Sequence, residues 1–178
     1  MMPEPTDLFR IAVCGHRQYP NDPFIDQSCK EIISTIQTNW PSRKYQVLSC
    51  LAEGADRYLT SALMGVLSAD LIVYLPLVED EYIKDFEDES SIEEYHALKK
   101  LANKTIKPDK KIERPWAYQS ANLKMLDNCD LLFCIWDGLP ARGPGGTGET
   151  IEIARKNALP LFWINVGKKG EFGEVRHG

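Results

Sequence analysis

Short apolar runs alternate with longer amphipathic segments along almost the whole chain. The runs are rich in β-branched and aromatic residues and predict five strands, at 9–14, 44–50, 71–75, 131–136 and 161–166. The segments between and after them predict helices at about 23–38, 55–67, 92–103, 118–128 and 147–157. Because such alternation builds βαβ units with right-handed crossovers, we expect an α/β fold: a single doubly wound, mainly parallel sheet of about five strands with helices on both faces.

Chain length and composition limit the class of protein. The 178 residues suit a single domain, with a core at about 9–166 and a peripheral tail at 167–178. A net charge of −5 and scattered Lys and Arg residues argue against a nucleic-acid-binding surface. The first residues lack the features of a signal peptide, and no apolar run is long enough for a membrane span. We therefore expect a cytoplasmic protein without a membrane partner.

The polar and sulfur-containing residues show no metal-binding pattern. The five cysteines form no CxxC pair and the three histidines lie far apart, so we expect reduced, buried cysteines and no metal site. The acidic stretch 79–94 predicts a solvated helical face rather than a metal site. Within it, Ser90, Ser91 and Glu94 resemble a capping box. The basic segment 104–114, with its Pro108, predicts an exposed loop.

A glycine-rich loop lies between the fourth predicted strand and the helix that follows it. It contains Gly143, Gly145, Gly146 and Gly148, with Thr147 before the last glycine. Glycines let backbone N–H groups approach a ligand closely, and a helix N-terminus favours a negative charge. A flexible turn before a capped helix is the alternative, but four glycines in six residues exceed what a turn needs. The loop therefore predicts a phosphate site, although it is neither a Walker loop nor a GxGxxG fingerprint.

Polar or glycine-containing turns follow other predicted strands as well. In open parallel sheets, ligands bind beyond the carboxyl ends of the strands, where the strand order reverses. Candidate binding residues at these ends, together with those of the glycine-rich loop, are Gly15, His16, Arg17, Glu53, Gly54, Ala55, Asp56, Asp137, Gly138, Gly145, Gly146, Thr147 and Gly148.

Several of these side chains have two interpretations. Arg17 suits a phosphate or carboxylate, or a surface pair with a nearby acid. His16 suits a phosphate contact, acid–base chemistry or a turn stabilised by the backbone. Asp56 with Arg57 suits the site, or a helix cap with an internal ion pair. Asp137 suits a ribose hydroxyl or the cap of a turn. We expect both Trp136 and Trp163 to belong to the core rather than to stack on a base.

Five short motifs occur in an order that resembles a known superfamily. They are IAVCGHR, LAEGADR, the segment 73–86 with its VYLPL and the pairs EY and DF, DLLFCIWDG and GPGGTGE. Together they resemble the SLOG superfamily, Rossmann-like domains related to DNA-processing protein A (Smf/DprA) and to the LOG cytokinin-activating phosphoribohydrolases. The resemblance spans about 9–166. It implies a nucleotide-derived ligand, such as a nucleoside phosphate, ADP-ribose or an NAD-like molecule, whose phosphate lies between the GHR turn and the glycine-rich loop.

Members of this superfamily either cleave N-glycosidic bonds or only sense such ligands. The LOG enzymes carry a Glu three residues after the Thr of their glycine-rich motif. Here Thr150 occupies that position, and the nearest acids are Glu149 and Glu152. The resemblance therefore favours a ligand-sensing or ligand-processing domain. An N-glycosidase of nucleoside 5′-monophosphates, with Glu149 as the catalytic carboxylate, is the alternative. Relatives that pair their subunits also suggest a homo-oligomer.

Overall fold

Strands and helices alternate along residues 7–168 and 171–175, the part of the chain that the computed structural model describes. The strands are β1 (Phe9–Gly15), β2 (Tyr45–Ser49), β3 (Asp70–Tyr74), β4 (Ala102–Ile106), β5 (Leu131–Trp136), β6 (Leu161–Asn165) and β7 (Glu171–Val175). The helices are α1 (Pro23–Asn39), α2 (Ala55–Leu67), α3 (Glu79–Tyr82), α4 (Glu89–Lys99), α5 (Arg114–Leu126) and α6 (Thr147–Lys156), with a 3₁₀ turn at Ile83–Asp85.

All of these strands belong to one sheet, in the order β4–β3–β2–β1–β5–β6–β7. The pairs from β4 through β6 are parallel, and β7 pairs with β6 in the antiparallel direction. The predicted α/β fold with a mainly parallel sheet is confirmed. The expected number of about five strands is too low, since six strands are parallel and β7 adds a further one at the edge.

The two additional strands lie where the sequence lacks an apolar run. Strand β4 overlaps the end of the predicted helix at 92–103 and the start of the predicted loop at 104–114, and both predictions are wrong for the residues of β4. The rest of that segment, 107–113, is a loop with mostly exposed residues, as predicted. The residues of β4 are exposed or half-buried because it lies at the edge of the sheet, where polar side chains are tolerated. Strand β7 lies within the predicted peripheral tail, of which residues 169, 170 and 176–178 are outside the described part of the chain.

The two faces of the sheet are covered by different helices, as expected for a doubly wound sheet. Successive residues of a strand point to opposite faces. Val13 of β1 therefore packs in one buried cluster with residues of α1 and α2, whereas Ala12 packs in a second cluster with residues of α5 and α6. Four of the cysteines are buried, Cys129 is half-buried, and none forms a disulfide.

The acidic stretch 79–94 is only partly a solvated face. Its carboxylates do lie near the surface, but Tyr82 and the adjoining Tyr95 are fully buried. Tyr82 packs edge-on against Tyr95 and Phe86, and the ring of Tyr95 is tilted against that of Phe86. The predicted capping box is wrong. Helix α4 begins earlier, and the side chain of Asp88 caps it by accepting a hydrogen bond from the Ser91 N–H at 2.8 Å.

None of the helices in the described segments is both long and apolar enough to cross a bilayer.

The turn before α2 packs directly on the turn after β1. Gly54 has φ = +78°, and a Cβ atom there would lie 2.2 Å from the carbonyl oxygen of Arg17. The next residue, Ala55, donates its N–H to the carbonyl oxygen of His16 at 3.0 Å. The two turns therefore approach each other as backbone on backbone, which only a glycine permits at position 54. This contact determines where the side chains of both turns lie at the carboxyl end of the sheet.

Gly54→Ala should lower the free energy of unfolding by at least about 2 kcal/mol, because it adds a side chain at positive φ and against a carbonyl oxygen. Gly65→Ala is the matched control, since no atom lies within 4 Å of a Cβ there in the same helix. This control should be neutral or stabilise by up to about 1 kcal/mol. Urea denaturation measures both. Equal stability of the two variants would contradict the backbone contact.

Candidate functional site

A cavity of about 570 Å³ opens at the carboxyl ends of the central strands. Its location follows from the strand order, because β2 lies on one side of β1 and β5 lies on the other. At β1 the strand order reverses, so the turns that leave β1 and β5 diverge and leave a crevice between them. The volume falls within the usual range of small-molecule sites.

The cavity brings together residues that are distant in sequence. The predicted residues that line it are Gly15, His16, Arg17, Asp56, Asp137, Gly145, Gly146, Thr147 and Gly148. The predicted residues outside its lining are Glu53, Gly54, Ala55, Gly138 and Glu149. Gly54 and Ala55 instead join the two turns described above, and Glu53 lies beside Arg17 with its Oε2 3.6 Å from Nη1.

The glycine-rich loop forms one wall of the cavity. Gly145 has φ = +75°, and a Cβ atom there would lie 2.7 Å from the Cβ of Tyr118, so packing against α5 by itself requires a glycine. The N–H groups of Gly145 and Gly146 donate to Glu149 and to the Gly143 carbonyl oxygen, within the loop and the first turn of α6. The amides of Thr147 and Gly148, the first two residues of α6, donate to no described residue. The N–H groups at the helix start, rather than those of the glycines before it, are free for a ligand.

Glu149 is occupied by contacts within the protein. One carboxylate oxygen accepts a hydrogen bond from the Gly145 N–H at 2.6 Å, and the other accepts from the Gln119 side chain at 2.7 Å. The residue that lines the cavity next to it is Thr150, which is 2% exposed. Glu149 therefore holds the loop against α5. A catalytic role for it stays a prediction that this geometry does not favour.

Arg17 links the turn after β1 to the opposite wall of the cavity. Its guanidinium donates to the Asp85 carbonyl oxygen at 2.9 Å and to the Tyr118 hydroxyl at 3.2 Å. Glu53 lies close enough for an ion pair. The surface ion pair that is one of the two interpretations of this arginine is therefore present, while 41% of the side chain remains exposed and Arg17 contributes to the cavity lining.

His16 and Asp137 meet where β1 and β5 end. The Asp137 N–H donates to Nε2 of His16 at 3.1 Å, which is possible for a neutral imidazole protonated on Nδ1. The Asp137 carboxylate lies 3.0 Å from the same nitrogen and accepts the Leu139 N–H. Burial works to raise the pKa of Asp137, but the Leu139 N–H and, when Nε2 carries a proton, His16 outweigh it and lower that pKa below its ordinary value. Both residues thus make turn-stabilising contacts, which is one of the interpretations given for each, and both line the cavity.

Asp56 lies at the start of α2 on the cavity wall and is 5% exposed. Burial raises its pKa from 3.8 to about 7, against the opposing effects of the Ala52 N–H and of two nearby arginines. The alternative interpretation of Asp56, a helix cap with an internal pair to Arg57, is wrong, because Gly54 is the N-cap of α2 and no ion pair joins the two side chains. Arg57 instead forms an ion pair with Glu94 at 2.7 Å and donates to the Leu51 carbonyl oxygen.

Sequence reasoning missed several residues of the cavity lining. Tyr118 and Asn122 come from α5, whose sequence contains no signal that points to a site. The Asn122 amide donates to the Gly145 carbonyl oxygen and to the Thr150 hydroxyl, each at 3.0 Å. Arg142 directly precedes the glycine-rich loop, and a cation next to such a loop is a signal that the sequence did contain. Among the described residues it forms no ion pair.

Charged groups of both signs line the cavity. Arg17, Arg142 and the N-terminus of α6 supply positive potential, and Asp56 and Asp137 supply carboxyl groups. Within the described ranges, no group of three or more His, Cys, Asp or Glu side chains could hold a metal ion. The arrangement is suited to a small anion that also carries hydrogen-bonding groups.

No protein-family model and no curated protein matches this chain. Membership of the SLOG superfamily therefore stays a prediction that depends on the five short motifs. The functional argument accordingly depends on the geometry of the cavity.

Asp56 should make the free energy of unfolding depend on pH. Between about pH 4 and pH 7 the unfolded chain has released this proton while the folded chain still holds it, so stability falls as the pH rises through this window. The Asp56→Asn variant does not lose stability in this way, because its amide does not titrate. Its stability relative to the unmodified protein should therefore increase by on the order of 4 kcal/mol across the window and stay constant above it. Urea denaturation at several pH values measures the difference, and parallel pH profiles would contradict the raised pKa.

Glu149→Ala should loosen the glycine-rich loop, because it removes a charge-assisted hydrogen bond of about 1.5–3 kcal/mol from the Gly145 amide. We expect amide hydrogen exchange in peptides covering 137–148 to become at least about tenfold faster. Glu152→Ala is the control, since this glutamate is exposed on the same helix. Unchanged exchange in the Glu149 variant would show that the loop does not depend on this carboxylate.

Proposed function

We propose that this protein binds a phosphorylated, nucleotide-derived small molecule in the cavity at the ends of β1, β2 and β5, with its phosphate at the N-terminus of α6. The observation that carries the proposal is the set of unused amides of Thr147 and Gly148 in the lining of a cavity that Arg17 and Arg142 also line. Backbone donors at a helix start, combined with guanidinium groups, form a typical phosphate environment.

Electrostatics favour an anion at this position although the whole chain is acidic. The N-terminus of α6 carries a partial positive charge, and Arg142 lies exposed at the cavity without an acidic partner in the described segments. The net charge of −5 is spread over the whole molecule, where solvent ions screen it beyond about 10 Å. Local donors therefore determine what the cavity attracts.

The size and lining of the cavity support a ligand larger than inorganic phosphate. A volume of about 570 Å³ leaves room for a sugar and a base beside one phosphate. The lining also offers the aromatic ring of Tyr118 and the carboxyl groups of Asp56 and Asp137. Together with the motifs that resemble the SLOG superfamily, these groups favour a nucleoside phosphate, ADP-ribose or an NAD-like molecule.

Ligand binding is favoured over cleavage. Both carboxylate oxygens of Glu149 accept hydrogen bonds from the protein, so a glycosidase that acts through Glu149 would have to break them. Stabilising an oxocarbenium-like transition state requires a carboxylate that faces the sugar. The function that the geometry supports best is therefore that of a ligand-sensing or ligand-holding domain.

Isothermal titration calorimetry and thermal shift with AMP, ADP, ADP-ribose and NAD test the proposal. At least one compound should bind. At 100 times its dissociation constant it should stabilise the protein by about 2.7 kcal/mol, or roughly 5–10 °C in Tm. The corresponding nucleoside without phosphate should bind at least about tenfold more weakly, because it lacks the charge-assisted hydrogen bonds.

Two arginine variants show whether the phosphate lies where we propose. Arg142→Ala should weaken binding by about tenfold, since it removes a cation at the cavity. Arg43→Ala removes the same charge just before β2, at the opposite end of the sheet, and should leave affinity unchanged. Failure of every compound to bind a folded sample would refute the proposal. Equal effects of the two variants would refute the assigned position of the phosphate.

A further inference from the structure

Asp56 has hydrogen-bonding capacity that the protein does not use. Its Oδ2 accepts the Ala52 N–H at a long 3.3 Å. Across the described segments it has no other hydrogen bond and no ion pair. An ionised carboxylate accepts up to about four hydrogen bonds, and burying one that lacks partners is costly. A purely structural carboxyl group at this position would need more partners than Ala52.

The two arginines near Asp56 are directed to other groups. Arg17 donates to the Asp85 carbonyl oxygen and to Tyr118, across the cavity. Arg57 donates to the carbonyl oxygens of Leu51 and Ser91 and forms an ion pair with Glu94. They surround Asp56 with positive potential without forming hydrogen bonds to it. The remaining lone pairs of Asp56 are therefore available on the cavity side.

Asp56 and the proposed phosphate position line the same cavity but follow different strands. Strand β1 separates β2, which precedes Asp56, from β5, which precedes α6. Two strand spacings amount to about 10 Å. A ligand that places its phosphate at α6 and extends across the end of β1 would thus bring the groups attached to that phosphate toward Asp56.

We infer that Asp56 binds a hydroxyl group of the ligand, so that the cavity selects phosphate esters with a free sugar hydroxyl, such as ribonucleotides, over their deoxy analogues. This inference rests on the proposed function. A hydroxyl suits the environment better than a protonated amine does, because Arg17 and Arg57 would repel a further cation. A site built for a hydroxyl rejects a ligand that lacks it, since a buried polar group then stays without a partner.

The preference for the hydroxyl should depend on pH. Burial raises the pKa of Asp56 to about 7, so the ionised carboxylate, which accepts a hydroxyl more strongly than the protonated group does, becomes populated as the pH rises from about 6 to 8. The charged or titratable groups that face it from the neighbouring elements are Cys14, Arg17, Cys50, Arg57 and Tyr82. The pKa values of the two thiols and of Tyr82 are raised well above their ordinary values, chiefly by burial for Cys50 and Tyr82 and by the neighbouring Cys134 for Cys14. These three groups therefore stay neutral in this range.

Calorimetry with AMP, 2′-deoxy-AMP and 3′-deoxy-AMP on the full chain tests the inference. The unmodified protein should bind AMP about tenfold or more tightly than at least one deoxy analogue at pH 8, and the ratio should shrink at pH 6. The phosphate also titrates near pH 6, but it does so in all three compounds, so the ratio of affinities cancels this effect.

Two variants at position 56 test whether Asp56 causes the difference in affinity between AMP and its deoxy analogues. Asp56→Ala should reduce the preference for AMP to less than about threefold while affinity for the less favoured deoxy analogue is retained. Asp56→Asn keeps the shape of the side chain and should leave a smaller preference that no longer varies between pH 6 and pH 8. Circular dichroism establishes that both variants are folded, and either folded variant suffices for the test.

The outcomes separate this inference from the proposed function. Equal affinities for AMP and both deoxy analogues, or a preference that both Asp56 variants keep with its pH dependence, would overturn the inference while leaving nucleotide binding intact. If neither AMP nor its analogues bind and the wider set of nucleotides fails as well, the proposed function is refuted and the inference with it.

Discussion

The reversal of strand order at β1 is the constraint on which the rest of the structure depends. Because β2 lies on one side of β1 and β5 on the other, the turns that follow these strands end around one crevice. Backbone contacts then fix the turns relative to one another. His16 donates its N–H to the Ile135 carbonyl oxygen at 3.1 Å, and Ala55 donates to the His16 carbonyl oxygen at 3.0 Å. Main-chain contacts therefore fix the turns after β1, β2 and β5, and the side chains of Asn122 and Glu149 hold the glycine-rich loop that forms the remaining wall.

That chemistry depends on which groups the protein has already satisfied. Glu149 acts as an internal anion for the glycine-rich loop, since it accepts the Gly145 N–H and leaves the first amides of α6 free. Asp56 shows the opposite case, because burial raises its pKa and the protein supplies one hydrogen bond. The same accounting of donors and acceptors thus gives Glu149 a structural role and is the basis for the ligand contact that we propose for Asp56.

Elements with a strong local signal were predicted closely. Helix α2 and strand β5 have the predicted bounds, because a buried apolar run or an amphipathic repeat is visible in the sequence itself. Strand β4 was missed because an edge strand needs no apolar run, and its partner β3 supplies the pairing that makes it a strand. The start of α4 was misplaced since Ser90, Ser91 and Asp88 are all acceptable caps, and it is Asp88 that accepts the Ser91 N–H in the structure.

The sequence by itself determined the α/β class, the parallel sheet and the turns that gather at its carboxyl end, because periodicity and glycine position are local properties. The tertiary structure alone decided what each polar group does there. Arg17 contacts Asp85, 68 residues away, and Arg142 reaches the cavity as part of a loop whose path depends on α5. Side-chain direction, burial and hydrogen-bond partners depend on elements that are distant along the chain. Free amides and a buried carboxyl group therefore become visible only once the chain is folded.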